Sequence, residues 1–145
     1  MDSRDQERIE LATKLFEAWS SGDADAPAQY FEPDGMLEDV VAGEEPHKGW
    51  PAIRAFFAPA TTVMPDLALI PDEFWVNEKG VALTWVMSAT ITEATAAGYG
   101  GEENIGKKWY SKGMTYLEFN EDNKVIYEMD YHHGGSATRS LENQK

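Results

Sequence analysis

The fold is decided by residues 117–132, LEFNEDNKVIYEMDYH. Two runs rich in β-branched and aromatic residues flank a polar segment, 121–123, which is typical of two antiparallel strands joined by a tight turn. The same pattern predicts strands over about residues 67–76, 80–92, 108–119 and 124–132. The second half of the chain therefore predicts an antiparallel sheet.

The first half is predicted to be mainly helical. Apolar residues recur at helical spacing in its first segment, at Ile9, Ala12, Leu15, Phe16 and Trp19. Shorter helices are predicted at about residues 24–31 and 51–57, on either side of a first strand over about 36–41. Helices followed by such a sheet indicate an α+β fold. We expect a cone-shaped, curved antiparallel sheet that wraps around the N-terminal helices and encloses an apolar pocket.

The length of 145 residues fits one domain with a single core. We predict that domain over residues 1–133 and a loose C-terminal tail over 134–145, where the periodicity is lost. Residues 93–107 contain a glycine-rich run and are predicted to form a long hairpin loop. Long loops of this kind are often functional or mobile.

The composition limits the classes of partner that the protein is expected to bind. The net charge of −14, from 26 acidic and 12 basic residues, disfavours nucleic-acid binding. No apolar run approaches the roughly 20 residues of a membrane span, and the first residues lack the apolar segment of a secretory signal. Cysteine is absent, so disulfides and thiol chemistry are excluded. We therefore expect a cytoplasmic protein with a small-molecule substrate, no nucleic-acid or membrane partner and, without a nicotinamide, flavin or metal signature, no cofactor.

Asp39 ends the predicted first strand, within residues 35–43, GMLEDVVAG. A carboxylate at the end of a strand, facing a surface covered by aromatic residues, is expected to have a raised pKa and to accept a proton near neutral pH. The alternative is a solvated aspartate that helps to end the strand.

Strand alternation divides the last strand into two rows. One row holds Ile126, Glu128, Asp130 and His132, and the other holds Val125, Tyr127, Met129 and Tyr131. Hydrophobicity alone would bury the second row. If the first row faces the pocket instead, Asp130 shares that pocket with Asp39, and two nearby carboxylates push their pKa values apart, so that one acts as base and the other as acid. The second row is then left for a partner subunit, and a homodimer is expected.

These stretches resemble the nuclear transport factor 2-like superfamily, in which the SnoaL-like polyketide cyclases and the ketosteroid isomerases are nearest. The resemblance covers about residues 9–132 and rests on the first helix with Gly22-Asp23, on residues 34–57 and on residues 117–131. It implies that the row with Asp130 faces the pocket. It also implies that Asp39 matches the base of the isomerases, Phe56 a pocket wall, and Asp130 the last-strand acid/base of the cyclases and limonene-epoxide hydrolases.

The sequence departs from two members of that superfamily. Isomerases carry a Tyr on the first helix, where this chain has Leu15 and Phe16, and their oxyanion-hole Asp falls near Thr115. Epoxide hydrolases carry Arg-x-Asp on a middle strand, where this chain has Trp85-Val86-Met87. These differences disfavour steroid isomerisation and epoxide hydrolysis by the family mechanisms.

The predicted catalytic residues are Asp39, Asp130 and His132. Either aspartate is the base while the other is the acid or orients the substrate, and His132 shuttles a proton or donates to an oxyanion. The predicted substrate-binding residues are Trp85, Phe56, Tyr131, Met87, Phe16, Trp19, Thr115 and Glu128. No metal site is expected, because His132 and His133 are adjacent in a strand and would point to opposite faces.

The sequence therefore predicts a cofactor-independent enzyme of lyase or isomerase type. Its substrate is expected to be a small, apolar, aromatic or polycyclic molecule that bears a carbonyl, hydroxyl or phenol group. Isomerisation, cyclisation, dehydration and an aldol-type lyase step all need a base beside a stabilised carbanion, and the sequence does not choose among them. The alternatives are a non-catalytic ligand-binding module of the same fold and, less favoured, an epoxide hydrolase.

Overall fold

A computed structural model describes residues 2–144, and Met1 and Lys145, the ends of the predicted domain and tail, lie outside the described residues. Over this range the chain forms three α-helices and six strands. The helices are α1 (Ser3–Trp19), α2 (Trp50–Val63) and α3 (Gly134–Glu142). The strands are β1 (Phe31–Asp39), β2 (His47–Lys48), β3 (Ala68–Val76), β4 (Gly80–Thr90), β5 (Lys108–Phe119) and β6 (Val125–His132). No helix within residues 2–144 is both long and apolar enough to cross a bilayer.

All six strands form one sheet, in the order β2-β1-β6-β5-β4-β3. Strands β3 to β6 form the predicted antiparallel meander. The exception is β1, which lies parallel to β6, so the sheet is mixed rather than antiparallel throughout. The long connection between these two strands permits the parallel pairing. The α+β fold itself is confirmed.

Helix α1 covers one face of the sheet, which we call the inner face. Its predicted apolar stripe is confirmed, since Ala12, Leu15, Phe16 and Trp19 are buried. They pack in one core with Leu83, Trp85 and Leu117 of the central strands. The core thus lies between α1 and the middle of the sheet, and it leaves the far ends of β1 and β6 to line a cavity.

The rows of β6 differ at one point from the prediction. The strand pairs Tyr127 with Glu118 and Val125 with Phe119, so Ile126 is an extra residue in a β-bulge. The bulge reverses the alternation, and Val125 is buried in the core instead of lying on the outer face. The predicted alternation holds for the rest of the strand, from Glu128 to His132.

Boundaries in the first half also differ from the prediction. The helix predicted over 24–31 is a short 3₁₀ segment, Ala26–Tyr30, and β1 begins at Phe31 and ends at Asp39. Helix α2 continues to Val63, although Pro59 lies inside it. A proline usually ends a helix because it lacks a donor for the preceding turn, which is why the prediction stopped this helix at residue 57.

The predicted loose tail is wrong, because residues 134–142 form α3. Strand β6 ends at His132, so the backbone N–H groups of Tyr110 and Lys112 need other acceptors. They donate to the hydroxyls of Ser140 and Ser136, each at 3.0 Å. The same helix buries Ala137 and Leu141, four residues apart, against the inner face. Helix α3 therefore replaces β6 as the neighbour of β5.

Candidate active site

A cavity of about 270 Å³ lies between α1, α2 and the inner face of the sheet. Its walls are mainly apolar, and its carboxyl groups and imidazole all come from the ends of β1 and β6. The lining residues are Phe16, Trp19, Leu37, Asp39, Phe56, Phe57, Ala60, Met64, Leu67, Leu69, Trp85, Met87, Glu128, Asp130 and His132. An apolar pocket with a few convergent polar groups is the usual form of a small-molecule site.

Nine of the eleven residues that the sequence analysis proposed lie in this lining: Asp39, Asp130, His132, Trp85, Phe56, Met87, Phe16, Trp19 and Glu128. Tyr131 does not, because alternation places it on the opposite face of β6, where it is 46% exposed. Thr115 is fully buried behind the wall and contacts Asp130 instead of the cavity.

The pairing of β1 with β6 places Asp39 directly beside Asp130. The two are register partners in the parallel pair, as are Leu37 and Glu128. Neighbouring strands lie about 4.8 Å apart, so both carboxylates belong to one site. Asp39 Oδ1 accepts the Ala42 backbone N–H at 3.2 Å and lies 3.8 Å from His132 Nε2. The parallel strand pair thus assembles the carboxylates and the imidazole.

Glu128 and Asp130 lie on one face of β6, where each carboxyl group shifts the pKa of the other. Burial raises the pKa of Glu128 well above its ordinary value, and the charge of Asp130 adds to the effect. Burial also raises the pKa of Asp130, to about 6, although hydrogen bonds from Glu128 and Thr115 oppose that rise. The nearby charge of Asp39 raises the Asp130 pKa further. The raised pKa of Glu128 favours its protonated form, which is the form that can donate a hydrogen bond to the Asp130 carboxylate.

Two indole N–H groups orient this pair. Trp19 Nε1 donates to Glu128 Oε1 at 3.3 Å. Trp85 Nε1 donates to Thr115 Oγ1 at 2.9 Å, and the Thr115 hydroxyl donates to Asp130 Oδ1 at 2.5 Å. The Trp85 ring lies against Gly113, where an added Cβ would come within 2.1 Å of the Trp85 ring atom Cη2. Gly113 therefore leaves the space that this orientation of Trp85 requires.

Six lining residues were not among the sequence-predicted site residues: Leu37, Phe57, Ala60, Met64, Leu67 and Leu69. Most lie on α2 or just after it, where the prediction replaced the last turns of the helix with an extended connection. Phe56, Ala60 and Met64 recur every four residues, which is the signal that Pro59 obscured.

Neither histidine near the site belongs to a metal-binding cluster. Across residues 2–144, no group of three or more His, Asp or Glu side chains is arranged to hold a metal ion. His132 faces the cavity, whereas His133 lies outside it, at the start of α3. The chemistry that the site offers through its own residues is proton transfer.

Structural comparison places the fold among known proteins. A candidate polyketide cyclase from Xanthomonas campestris superposes with a TM-score of 0.75 at 15% identity, covering 96% of this chain and 99% of that one. IdmH, a candidate polyketide cyclase from Streptomyces antibioticus, gives 0.72 at 16% identity, covering 94% and 99%. A protein of ketosteroid isomerase-like fold from Catenulispora acidiphila, solved with trimethylamine, gives 0.73 at 17% identity, covering 90% and 91%.

The sequence itself gives the family. A search of curated proteins gives no significant match. In contrast, the profile of the SnoaL-like domain matches residues 12–132, which run from the middle of α1 to the end of β6 and include every residue that lines the cavity. The chain therefore belongs to the SnoaL-like domain family.

Proposed function

We propose that this protein is a cofactor-independent enzyme of the cyclase or isomerase type that works by acid–base catalysis. Its substrate is a small, largely apolar molecule that carries a carbonyl, hydroxyl or phenol group. Family membership and the cyclase-like neighbours support the general class. The arrangement of carboxyl groups at one end of an aromatic cavity supports the finer assignment.

The single observation that carries the proposal is the environment of Asp130. Its carboxylate accepts hydrogen bonds from Glu128 and Thr115, and its pKa of about 6 lies close to neutral pH. A general base works best when its pKa is near the operating pH, since it is then ionised and still basic. We therefore assign Asp130 as the proton acceptor, the second of the two role assignments that the sequence left open.

Asp39 and His132 complete the proposed mechanism. Asp130 removes a proton next to the substrate carbonyl and leaves an enolate. His132 faces the same cavity and donates a hydrogen bond to the enolate oxygen, and Asp39, 3.8 Å away, orients the imidazole. Return of the proton from Asp130 to another carbon of the enolate gives an isomerisation. Attack of the enolate carbon on a second carbonyl gives a cyclisation, and the alkoxide formed from that carbonyl takes back the proton from Asp130. Both outcomes need the same residues.

Proton exchange tests this mechanism without knowledge of the natural substrate. 2-Tetralone is an aromatic ketone whose α-protons exchange when a base forms its enolate. In D₂O, the protein should accelerate the exchange, measured by ¹H NMR, and Asp130→Asn should lower the acceleration by about 100-fold or more. Circular dichroism checks that the variant is folded. Equal exchange by the two proteins would show that Asp130 is not the base.

A binding module is the second candidate function. The aromatic side chains around the carboxylates, among them Trp19 and Trp85, form a site that would also suit a small cation. The Catenulispora protein of similar fold was solved with trimethylamine. If this protein binds trimethylamine or 2-tetralone but does not accelerate exchange, the binding module is the better description. Epoxide hydrolysis is less favoured, because Trp85 and Met87 replace the polar residues of that reaction.

We also propose that the protein is a cytoplasmic homodimer. The face of the sheet opposite the helices, which we call the outer face, carries five large apolar side chains that are more than 40% exposed: Ile70, Trp75, Tyr110, Met114 and Tyr131. An apolar surface of this extent favours a covering partner. A second copy is the simplest one, because the same face then meets itself across a two-fold axis.

A further inference from the structure

A second cavity, of about 310 Å³, lies beside the first. It is bounded by the 3₁₀ segment Ala96–Tyr99, the start of α3 and the first residues of β5. Its lining residues are Met87, Gly98, Tyr99, Trp109, Ser111, His132, Gly134, Ala137 and Thr138. None of the roles assigned so far uses this space.

The two cavities share a wall. Met87 and His132 line both, so the imidazole at the proposed reaction centre also faces the second cavity. Met87 is a flexible side chain, which adapts readily to different occupants. A movement of the Met87 side chain would therefore join the two cavities and let a molecule bound beside Asp130 extend into the second.

The second cavity has an aromatic wall with polar groups around it. Tyr99 stacks on Trp109 with ring centroids 5.0 Å apart and an angle of 9° between the planes. Among residues 2–144, Trp109 Nε1 is one of two fully buried polar side-chain atoms without a hydrogen-bond partner. An unsatisfied buried donor costs about 1–3 kcal/mol. Surrounding atoms cover this N–H, so an occupant that supplies an acceptor would be favoured once the Trp109 ring turns and brings the N–H to the cavity.

The segments that enclose this cavity are held in place. Ser111, which is buried, donates through its hydroxyl to the His133 carbonyl at 3.1 Å. Asn104 Nδ2 donates to the Tyr99 carbonyl at 2.7 Å and so ties the loop over residues 93–107 to itself. The cavity is thus formed by packed elements on both sides, in contrast to the loose tail and simple hairpin loop that the sequence predicted.

We infer that the second cavity binds the distal part of an elongated substrate, an aromatic ring that carries a hydroxyl or carbonyl oxygen. The ring packs on the wall formed by Tyr99 and Trp109, and its oxygen accepts a hydrogen bond from the Trp109 indole. The reacting part of the substrate lies in the first cavity. This inference rests on the proposed function for the position of the reacting part, but it is tested by binding alone.

Two probes with a common head measure the contribution of the second cavity. 2-Naphthol is the probe for the first cavity. 6-(4-Hydroxyphenyl)-2-naphthol carries the same naphthol group and an additional phenol ring, which is intended for the second cavity. Titration calorimetry should give at least a 10-fold lower Kd for the longer probe. Thr138→Phe narrows the second cavity from an exposed position of α3. It should remove most of the gain in affinity of the longer probe and leave the Kd of 2-naphthol unchanged. Gly98→Leu provides a second test, since a Cβ there meets no atom within 4 Å.

Matched controls identify the site. Asn143→Phe adds the same ring to an exposed position directly after α3, away from the cavity, and should not alter either Kd. In a ¹⁵N–¹H spectrum, the indole signal of Trp109, assigned with Trp109→Phe, should shift with the longer probe but not with 2-naphthol. Equal Kd values for the two probes, or an unchanged gain in both cavity variants, would overturn the inference. So would a failure of both probes to bind, whereas loss of proton exchange bears only on the proposed function.

Discussion

The hydroxyl of Thr115 donates a hydrogen bond to Asp130 Oδ1 at 2.5 Å, from a fully buried position directly across the β5–β6 pair. This bond stabilises the ionised form of Asp130 and lowers its pKa, against burial and the charge of Asp39, which raise it. Thr115 in turn accepts the Trp85 indole N–H, so its hydroxyl hydrogen is directed toward the carboxylate. A residue outside the cavity therefore contributes to the pKa of one inside it.

Thr115→Val keeps the shape of the side chain and removes the hydroxyl. Loss of this hydrogen bond should raise the Asp130 pKa above about 6, by about 0.5–1 unit. Because the ionised form is the proposed base, the rate of 2-tetralone exchange should rise with pH around a higher midpoint than in the wild type. Thr115→Ser retains the hydroxyl and should restore the original midpoint. Identical profiles for Val and wild type would show that the bond does not control Asp130.

Asp130→Asn should stabilise the fold at high pH. The folded-state pKa of about 6 lies above the ordinary 3.8, so the folded protein binds more protons than the unfolded chain between these values. The contribution of Asp130 to the free energy of unfolding is thus most favourable below pH 4 and is lost as the pH rises through 6. Urea unfolding at pH 8 should show the Asn variant more stable by up to about 2–3 kcal/mol. That difference should be much smaller at pH 4, and an equal difference at both pH values would contradict the assignment.

Glu128→Gln should be tolerated, because burial raises the pKa of Glu128 and so favours the protonated form, whose donor and acceptor glutamine also supplies. Stability at pH 7 and proton exchange should both stay within a few fold of wild type. Glu128→Leu removes the acceptor for Trp19 and the donor to Asp130. It should therefore cost about 1–3 kcal/mol in the free energy of unfolding and should raise the Asp130 pKa, measured by ¹³C NMR of the carboxyl groups. If Glu128→Gln lost as much stability and proton exchange as Glu128→Leu, Glu128 would have to act as an anion.

Gly113→Ala should displace Trp85, since the new Cβ would lie 2.1 Å from its ring. The displaced indole can no longer donate to Thr115, so binding of 2-naphthol and proton exchange should both weaken, the latter by about 10-fold, the equivalent of one lost hydrogen bond. The fluorescence of Trp85 should change as well, against Trp85→Phe as reference. The matched control is Gly134→Ala, where a Cβ meets no atom within 4 Å. Unchanged binding in both variants would show that the cavity does not depend on this contact.

Met114→Glu should separate the proposed homodimer. Met114 is 41% exposed and pairs with Tyr131 on the outer face, so a charge there would be buried in a two-fold interface. Sedimentation velocity should show a dimer for wild type and a monomer for the variant at micromolar concentration. Thr62→Glu, at an exposed position of α2, should remain dimeric. A monomeric wild type would contradict the proposed homodimer.

Much of this architecture could be predicted from local patterns. The period of α1 and the alternation of β4, β5 and β6 identified the elements, and the row from Glu128 to His132 identified the inward side chains. Other features depend on long-range contacts. The bulge at Ile126 appears only in the pairing of β5 with β6. Helix α3 forms beside the part of β5 that extends past the end of β6, where it supplies acceptors for the backbone N–H groups of β5. Helix α2 passes Pro59 because Phe57 and Ala60 pack along the cavity.

The parallel pairing of β1 with β6 also governs when the site forms during folding. Asp39 lies in the first third of the chain and Asp130 near its end, so their contact closes a loop that contains most of the sheet. Such non-local pairings form late, after local hairpins. The two carboxylates therefore become neighbours only when β1 and β6 pair across the whole length of the intervening chain. A ribosome-bound chain from which β6 has not yet emerged lacks Asp130 and His132, and with them the candidate active site.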